Sequence, residues 1–183
     1  SLRTLIKTTP VLRLRSFYQA CLFASFSLFW TAAPLELANH YSFSQTDIAW
    51  FSLAGAVGAI AAPVTGRLAD AGHTRVATRF ALMLAALSFL PGFVFADAGY
   101  IGLLVTAIVL DFFVQMNMVL GQSEIYALQD EARSRLNALY MASIFVGGAL
   151  GSSMAGSLYA QGGWLGVCYA GCLFPLLGLG SFL

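Results

Sequence analysis

Charged side chains are scarce in this sequence: Asp, Glu, Lys and Arg make up 9% of its 183 residues, whereas 59% are hydrophobic. A soluble domain typically has about 25% charged and roughly 45–50% apolar residues. A water-soluble fold of this composition would leave much apolar surface in contact with water. A lipid bilayer removes that difficulty for segments that satisfy their own backbone hydrogen bonds, as helices do. We therefore predict an all-α membrane protein.

Histidine and cysteine are also rare, with two His and three Cys residues. The histidines, His40 and His73, fall in predicted connectors on opposite sides of the membrane, and the sequence has neither H-E-x-x-H nor G-x-S-x-G. An intramembrane hydrolase or metalloprotease would need such residues at membrane depth. Cys168 and Cys172 have no His, Asp or Glu nearby in sequence to complete a metal site. We predict no enzyme, no metal and no cofactor, and the net charge of +1 gives no reason to expect nucleic acid as a partner.

Six apolar stretches approach the roughly 20 residues that a membrane-crossing helix needs. In chain order, as helices one to six, they are Phe17–Leu37, Ile48–Gly66, Val76–Ala96, Tyr100–Gln122, Asn137–Ala160 and Trp164–Leu183. Residues 1–16 form an arm before them, and no connector is long enough for a second domain. We predict a single transmembrane six-helix domain over residues 1–183.

The basic residues are distributed unequally between the two sides of these helices. They are Arg3, Lys7, Arg13, Arg15, Arg67, Arg75, Arg79, Arg133 and Arg135. All lie in the arm, in the connectors after helices two and four, or in the first turn of helix three, and none lies in 38–47, 97–99 or 161–163. Cytoplasmic loops carry an excess of Lys and Arg. We therefore expect both termini in the cytoplasm.

Asp111 stands at the centre of predicted helix four. An ionisable side chain at this depth costs about 2.5–3.5 kcal/mol on insertion scales and is often functional. Gln115 and Met118 follow at i+4 and i+7, which predicts that they share its helix face. Two interpretations remain open: this face lines a substrate cavity, where Asp111 takes part in proton coupling, or Asp111 is a structural carboxyl group bonded to a neighbouring helix.

Predicted helix one has its own polar and amphipathic side chains. Gln19, Trp30 and Thr31 are candidates for the cavity wall, although hydrogen bonding between helices explains such residues equally well. Glu36 lies near the outer end of the helix. It either belongs to an outer gate or cation site, or extends towards the lipid headgroups without a function.

The connector after helix two has a recognisable pattern: a helix end, a tight turn with Gly, and an Asp flanked by Arg. It resembles the signature G-x-x-x-D-R-x-G-R-R of the major facilitator superfamily. The matching residues are Gly66, Asp70, Gly72 and Arg75. Ala71 replaces the basic residue expected after the Asp, and His73-Thr74 replaces part of the basic pair.

A second segment is similar to the junction of helices ten and eleven in bacterial drug- and sugar-efflux members of that superfamily, which are proteins of the bacterial inner membrane. It runs from Asp130 to Tyr140, contains Arg133 and Arg135, and continues towards Gly147-Gly148. The resemblance implies helices seven to twelve of a twelve-helix transporter, with two inverted three-helix repeats. It implies that helices one and four line a central cavity and that helices two and five contact an N-terminal six-helix half. It also implies a small-molecule substrate and proton-coupled efflux, with the signature residues acting as a conformational gate.

The chain begins with Ser and ends at Leu183 within an apolar run, so we expect it to be part of a longer protein and inactive alone. An alternative is a truncated, non-transporting membrane remnant, or a half-subunit that needs a partner.

The predicted topology can be tested with reporter tags. A tag at Asn39 should report the face opposite to a tag at Arg13, because one crossing helix separates the two positions. Accessibility to a membrane-impermeant reagent in intact cells measures this. Tags at both positions on one face would contradict the six-helix topology.

Overall fold

The computed structural model describes residues 2–94 and 99–183, and the regular structure within these ranges is helical. The α-helices in chain order are α1 (Leu2–Thr8), α2 (Pro10–Asn39), α3 (Gln45–Ser52), α4 (Ala61–Asp70), α5 (Thr74–Leu87), α6 (Leu90–Val94), α7 (Tyr100–Tyr126) and α8 (Arg133–Phe182). A 3₁₀ segment, Leu53–Ile60, joins α3 to α4, and a short 3₁₀ turn, Asp130–Ala132, precedes α8.

Within the described residues, five helical stretches are long and apolar enough to cross a membrane. They are Pro10–Asn39, Gln45–Asp70, Thr74–Phe93, Tyr100–Tyr126 and Arg133–Phe182. Each of the first four contains or overlaps one of predicted helices one to four, and the fifth contains the last two. The predicted end of helix three, at Ala96, and most of the connector Asp97–Gly99 lie outside the described residues.

The first long helix begins earlier than the apolar run predicts, at Pro10 rather than Phe17. Proline suits the first helical position, because its fixed φ matches the helix and its missing N–H would have had no partner there. Much of the predicted arm 1–16 is therefore helical, as α1 and the first two turns of α2.

The fifth stretch, α8, contains a break at Gly163, where φ is 58° and ψ is −154°. A left-handed φ of this kind is open to glycine at little cost. A straight helix of 50 residues would be about 75 Å long, which far exceeds the roughly 30 Å of a bilayer core. The break separates segment 133–162 from segment 164–182.

Segment 133–162 runs parallel to α2. The hydroxyl oxygens of Thr31 and Ser152 are 3.0 Å apart, and further along both helices the Tyr159 hydroxyl donates to the Glu36 carboxylate over 2.9 Å. Residue numbers therefore rise together along the two helices.

Segment 164–182 runs in the opposite direction. The Ser25 hydroxyl donates to the Gly171 carbonyl over 2.7 Å, whereas the rings of Tyr18 and Phe182 meet with their centroids 5.7 Å apart. Residue numbers fall along segment 164–182 in the direction in which they rise along α2. The chain therefore reverses at Gly163, and α8 is a hairpin of two antiparallel segments.

Helices α2 and α7 are antiparallel, which gives the bundle two distinct ends. The Arg15 guanidinium contacts the Glu124 carboxylate at one end, and the rings of Phe43 and Tyr100 meet at the other. Arg75 lies over the Phe182 ring at the same end as Arg15. We call the end with Arg15 and Arg75 the basic end and the other the opposite end.

Small residues allow α8 to approach α2 closely. A Cβ atom added at Gly147 or Gly151 would overlap the backbone of Ala20 or Ala24. The close approach therefore requires glycine at both positions, as is common where helices pack in lipid. Gly147 and Gly151 therefore pack inside the chain against α2, whereas Gly156, further along the same segment, is exposed.

Replacing Gly151 with Ala should destabilise the fold by about 1–3 kcal/mol, the usual cost of overpacking. Gly156→Ala is the matched control, because an added Cβ there has no atom within 4 Å. It should be neutral or stabilise α8 by about 0.5–1 kcal/mol through lower chain entropy. Thermal unfolding of the two purified variants measures the difference, and equal unfolding temperatures would contradict the packing.

Candidate functional site

Asp111 lies midway along α7 and faces the bundle, with 7% of its surface exposed. The indole N–H of Trp30 donates to its Oδ1 over 2.9 Å. Two of the residues predicted for the cavity wall, one on each of the two predicted cavity helices, are therefore in direct contact. The hydrogen bond holds the carboxyl group at the α2–α7 contact near the middle of the bundle.

Two glycines of the 3₁₀ segment make room for Asp111. A Cβ at Gly55 would lie 2.8 Å from Asp111 Oδ2 and 3.2 Å from the Trp30 ring. A Cβ at Gly58 would lie 3.3 Å from the Asp111 backbone oxygen. The 3₁₀ segment therefore packs directly against Asp111, and its glycines set how closely it approaches.

A second polar pair lies one level closer to the basic end. Gln19 and Asn117 are fully buried, and the Asn117 amide donates to Gln19 Oε1 over 2.7 Å. The Gln19 amide donates in turn to the Val114 carbonyl over 3.2 Å. Asn117 Oδ1 has no hydrogen-bond partner among the described residues. Sequence analysis did not single out Asn117, although a polar residue in an apolar helix was a usable signal.

The two residues predicted to follow Asp111 on its face lie at the edge of that face. Gln115 and Met118 are partly exposed, whereas Val114 and Asn117 are buried. Met118 packs in an apolar cluster near the basic end, and its carbonyl accepts a hydrogen bond from Tyr140 over 3.4 Å. The buried face of α7 therefore continues from Asp111 through Val114 and Asn117.

Glu36 lies apart from this group, near the opposite end. It is 8% exposed, and Tyr159 donates to its carboxylate over 2.9 Å. It borders a small cavity of about 130 Å³ together with His40 and Trp164. Thr31 is exposed and bonds to Ser152 of α8. These two residues thus join α2 to α8 rather than to Asp111.

The predicted gate motif forms the turn between α4 and α5. The turn closes with Gly72 at φ 74° and the His73 N–H donating to the Leu68 carbonyl over 2.9 Å. Asp70 is exposed in the last turn of α4, and no described side chain pairs with its carboxylate. A Cβ added at Gly66 would have open space around it.

The three arginines predicted for the gate lie at the basic end. Arg75 lies over the Phe182 ring, 5.8 Å from its centroid. The Arg133 guanidinium donates to the Tyr126 carbonyl over 3.1 Å, and Arg135 is exposed. Arg133 therefore connects the end of α7 to the start of α8.

Arg15 is a buried residue that sequence analysis assigned to the arm. Only 5% of its surface is exposed, and its guanidinium donates to Glu124 over 2.6 Å and to the Thr78 hydroxyl over 2.5 Å. It therefore connects α2, α5 and α7 at the basic end. Arg15 precedes the apolar run, and hydropathy alone does not show that the helix begins before that run. The contacts of Arg15 with other helices were therefore not predicted.

Metal binding has no support in the part of the chain that is described. No group of three or more His, Cys, Asp or Glu side chains within residues 2–94 and 99–183 could hold an ion.

The sequence matches the family model of the major facilitator superfamily over residues 16–183. The chain belongs to the major facilitator superfamily. It is 38% identical over 173 residues to the uncharacterized transporter YgaY of Escherichia coli O157:H7, a match that covers 94% of this chain and 44% of the relative. It is 29% identical over 176 residues to the probable transporter SCO4007 of Streptomyces coelicolor, covering 95% of this chain and 40% of that protein. The superfamily and these relatives are transporters rather than enzymes.

The chain thus spans less than half the length of these superfamily relatives. No solved structure gives a significant match.

Replacing Arg15 with Gln should lower the free energy of unfolding by about 2 kcal/mol, since two hydrogen bonds of a charged group are lost. Arg13→Gln, at an exposed position on the same helix, should stay within about 0.5 kcal/mol of the parent. Denaturant titration of the detergent-solubilised protein provides the comparison. Losses of equal size would show that Arg15 acts only through net charge.

Proposed function

We propose that this chain is the C-terminal half of a twelve-helix secondary transporter that exports a small solute in exchange for protons. The observation on which this mainly rests is the Asp111 carboxyl group, buried midway along α7 and bonded to Trp30 of α2. Buried ionisable residues within membrane helices are costly and typically mark ion or substrate pathways.

The reversal at Gly163 supports a count of six membrane crossings. Segments 133–162 and 164–182 run in opposite directions along α2, so each would cross the bilayer once. Together with the four preceding apolar stretches they would make six crossings. This count supports an arrangement of two inverted three-helix repeats, in which α2 and α7 begin the two repeats and meet at the transport site.

We infer that the basic end faces the cytoplasm of a bacterial cell and that both termini lie there. The support is the location of all nine basic residues in the arm, in two connectors and at the adjoining helix ends. Loops with Lys and Arg are retained on the cytoplasmic side during insertion.

An N-terminal six-helix half is the expected partner. The relatives are more than twice as long as the matched region. Asp70 offers an exposed carboxylate at the end of α4, where it could bond the positive N-terminus of a helix in that half. Gly66, Gly72, Arg75, Arg133 and Arg135 would shape the same cytoplasmic gate.

The chemistry at Asp111 would be proton exchange coupled to solute movement. The carboxyl group sits between an indole donor and the glycine surface of the 3₁₀ segment, and 7% of the surface of Asp111 is exposed. When the gate closes, water access to Asp111 would change. The protonated form is neutral and tolerates a drier site, whereas the ionised form requires water or a cationic partner.

Asp111→Asn in the full-length protein should abolish transport driven by a pH gradient and preserve substrate exchange without a gradient. Asn keeps an oxygen that can accept the Trp30 hydrogen bond, so only the titrating group is lost. Reconstituted vesicles measure both activities, with a substrate identified beforehand by thermal-shift screening.

Glu36→Gln is the matched control, because it also keeps an acceptor, here for Tyr159. It should retain most gradient-driven transport. Gradient-driven transport by the Asp111 variant at the parent rate would remove Asp111 from the coupling mechanism, and activity of the 183 residues alone would contradict the need for a second half.

A further inference from the structure

A cavity of about 340 Å³ at the basic end lies apart from Asp111 and its partners. It is enclosed by α2, α5, α7 and the end of α8, and its lining includes Arg15, Arg75, Glu124, Leu14 and Phe182. The cavity therefore combines ionic and apolar surface at the expected level of the lipid headgroups.

The charges in this region are positive in sum. The Arg15 guanidinium is paired with Glu124. Arg75 lies over the Phe182 ring, and Arg79, one helical turn later, borders an adjoining cavity of about 190 Å³ that shares Arg75 and Phe182. No carboxylate that the structure describes lies within ion-pair distance of Arg75 or Arg79. The guanidinium groups of Arg75 and Arg79 are thus the two that an anion could bind.

The apolar side chains beside these arginines face outward. Val76 and Phe80 follow Arg75 and Arg79 by one residue each, so a row of apolar side chains lies next to a row of basic ones on α5. Both are about half exposed, as is Leu14 on the facing side of the cavity. Such a surface suits contact with acyl chains rather than with water.

We propose that this cavity binds the phosphate of an anionic phospholipid from the leaflet at the basic end. Arg75 and Arg79 would bond the phosphate oxygens, since the planar guanidinium group matches phosphate in geometry as well as charge. The Arg15–Glu124 pair would form part of the cavity wall, and the acyl chains would lie along Leu14, Val76 and Phe80. The inference rests on the placement of the bundle in a membrane, but not on the substrate or the coupling ion.

A soluble organophosphate has the same anionic group but does not account for the apolar rim. The exposed side chains of Leu14, Val76 and Phe80 would stay in contact with water around a small polar ligand. A lipid would cover these side chains with its acyl chains, so hydrophobic contact would add to the free energy of binding that the phosphate contributes.

Native mass spectrometry of the full-length protein tests the proposal. The probes are phosphatidylglycerol and phosphatidylcholine with identical acyl chains, and glycerol 3-phosphate as the soluble anion. The parent protein should retain phosphatidylglycerol in preference to phosphatidylcholine. Arg75→Gln should weaken that binding about fivefold, the expected loss for one basic residue at a membrane surface. The double variant with Arg79→Gln should weaken it further.

Arg67→Gln is the control, because it removes the same charge at an exposed position outside the cavity. Arg75→Lys should restore part of the binding as a point charge, which separates a phosphate contact from a structural role. Thermal unfolding of each variant verifies its fold. Equal binding of the two lipids, or an equal loss in Arg67→Gln, would overturn the proposal. Displacement of the lipid by glycerol 3-phosphate would assign the cavity to a soluble anion and would overturn it as well.

Discussion

The fold depends on the close contact between α2 and the two segments of α8. Gly147 and Gly151 allow the backbone of segment 133–162 to lie directly against Ala20 and Ala24. In lipid there is no hydrophobic force between helices, so close packing and hydrogen bonds must hold them. With segment 133–162 parallel to α2 and segment 164–182 antiparallel to it, α2 has neighbours on several sides. Its remaining face meets α7, where the polar side chains lie.

Polar contacts join α2 to α7 at three levels. From the basic end inward they are Arg15 with Glu124, Gln19 with Asn117, and Trp30 with Asp111. Each pair keeps a polar side chain from facing hydrocarbon alone, which would cost far more than an imperfect hydrogen bond. The first pair reaches water through Glu124, whose side chain is 36% exposed. Gln19 and Asn117 are fully buried, whereas Asp111 is 7% exposed and Trp30 is partly exposed. Polar contacts between α2 and α7 therefore continue from the basic end into the interior of the bundle.

Hydropathy and charge predict the apolar segments and the single end that holds the basic residues, because both depend on sums over many side chains. They do not predict which way a helix faces. Asp111 and Trp30 were identified as unusual polar or amphipathic residues in apolar helices, and the structure brings them together. Asn117 was missed because the buried face of α7 passes through Val114 rather than through Gln115. Arg15 was missed because Pro10 starts the helix before the apolar run does.

The geometry of the 3₁₀ segment explains why two glycines three residues apart can both pack against Asp111. In a 3₁₀-helix side chains at i and i+3 eclipse, so Gly55 and Gly58 lie in line and form a smooth face against α7. In an α-helix the same two positions would be offset around the axis, and the residues 53–60 would span about 4 Å less, because the rise per residue falls from about 2.0 to 1.5 Å. The fit around Asp111 thus requires both the glycines and the 3₁₀ conformation. Any change in the hydrogen bonding of this segment would alter the surroundings of the carboxyl group directly.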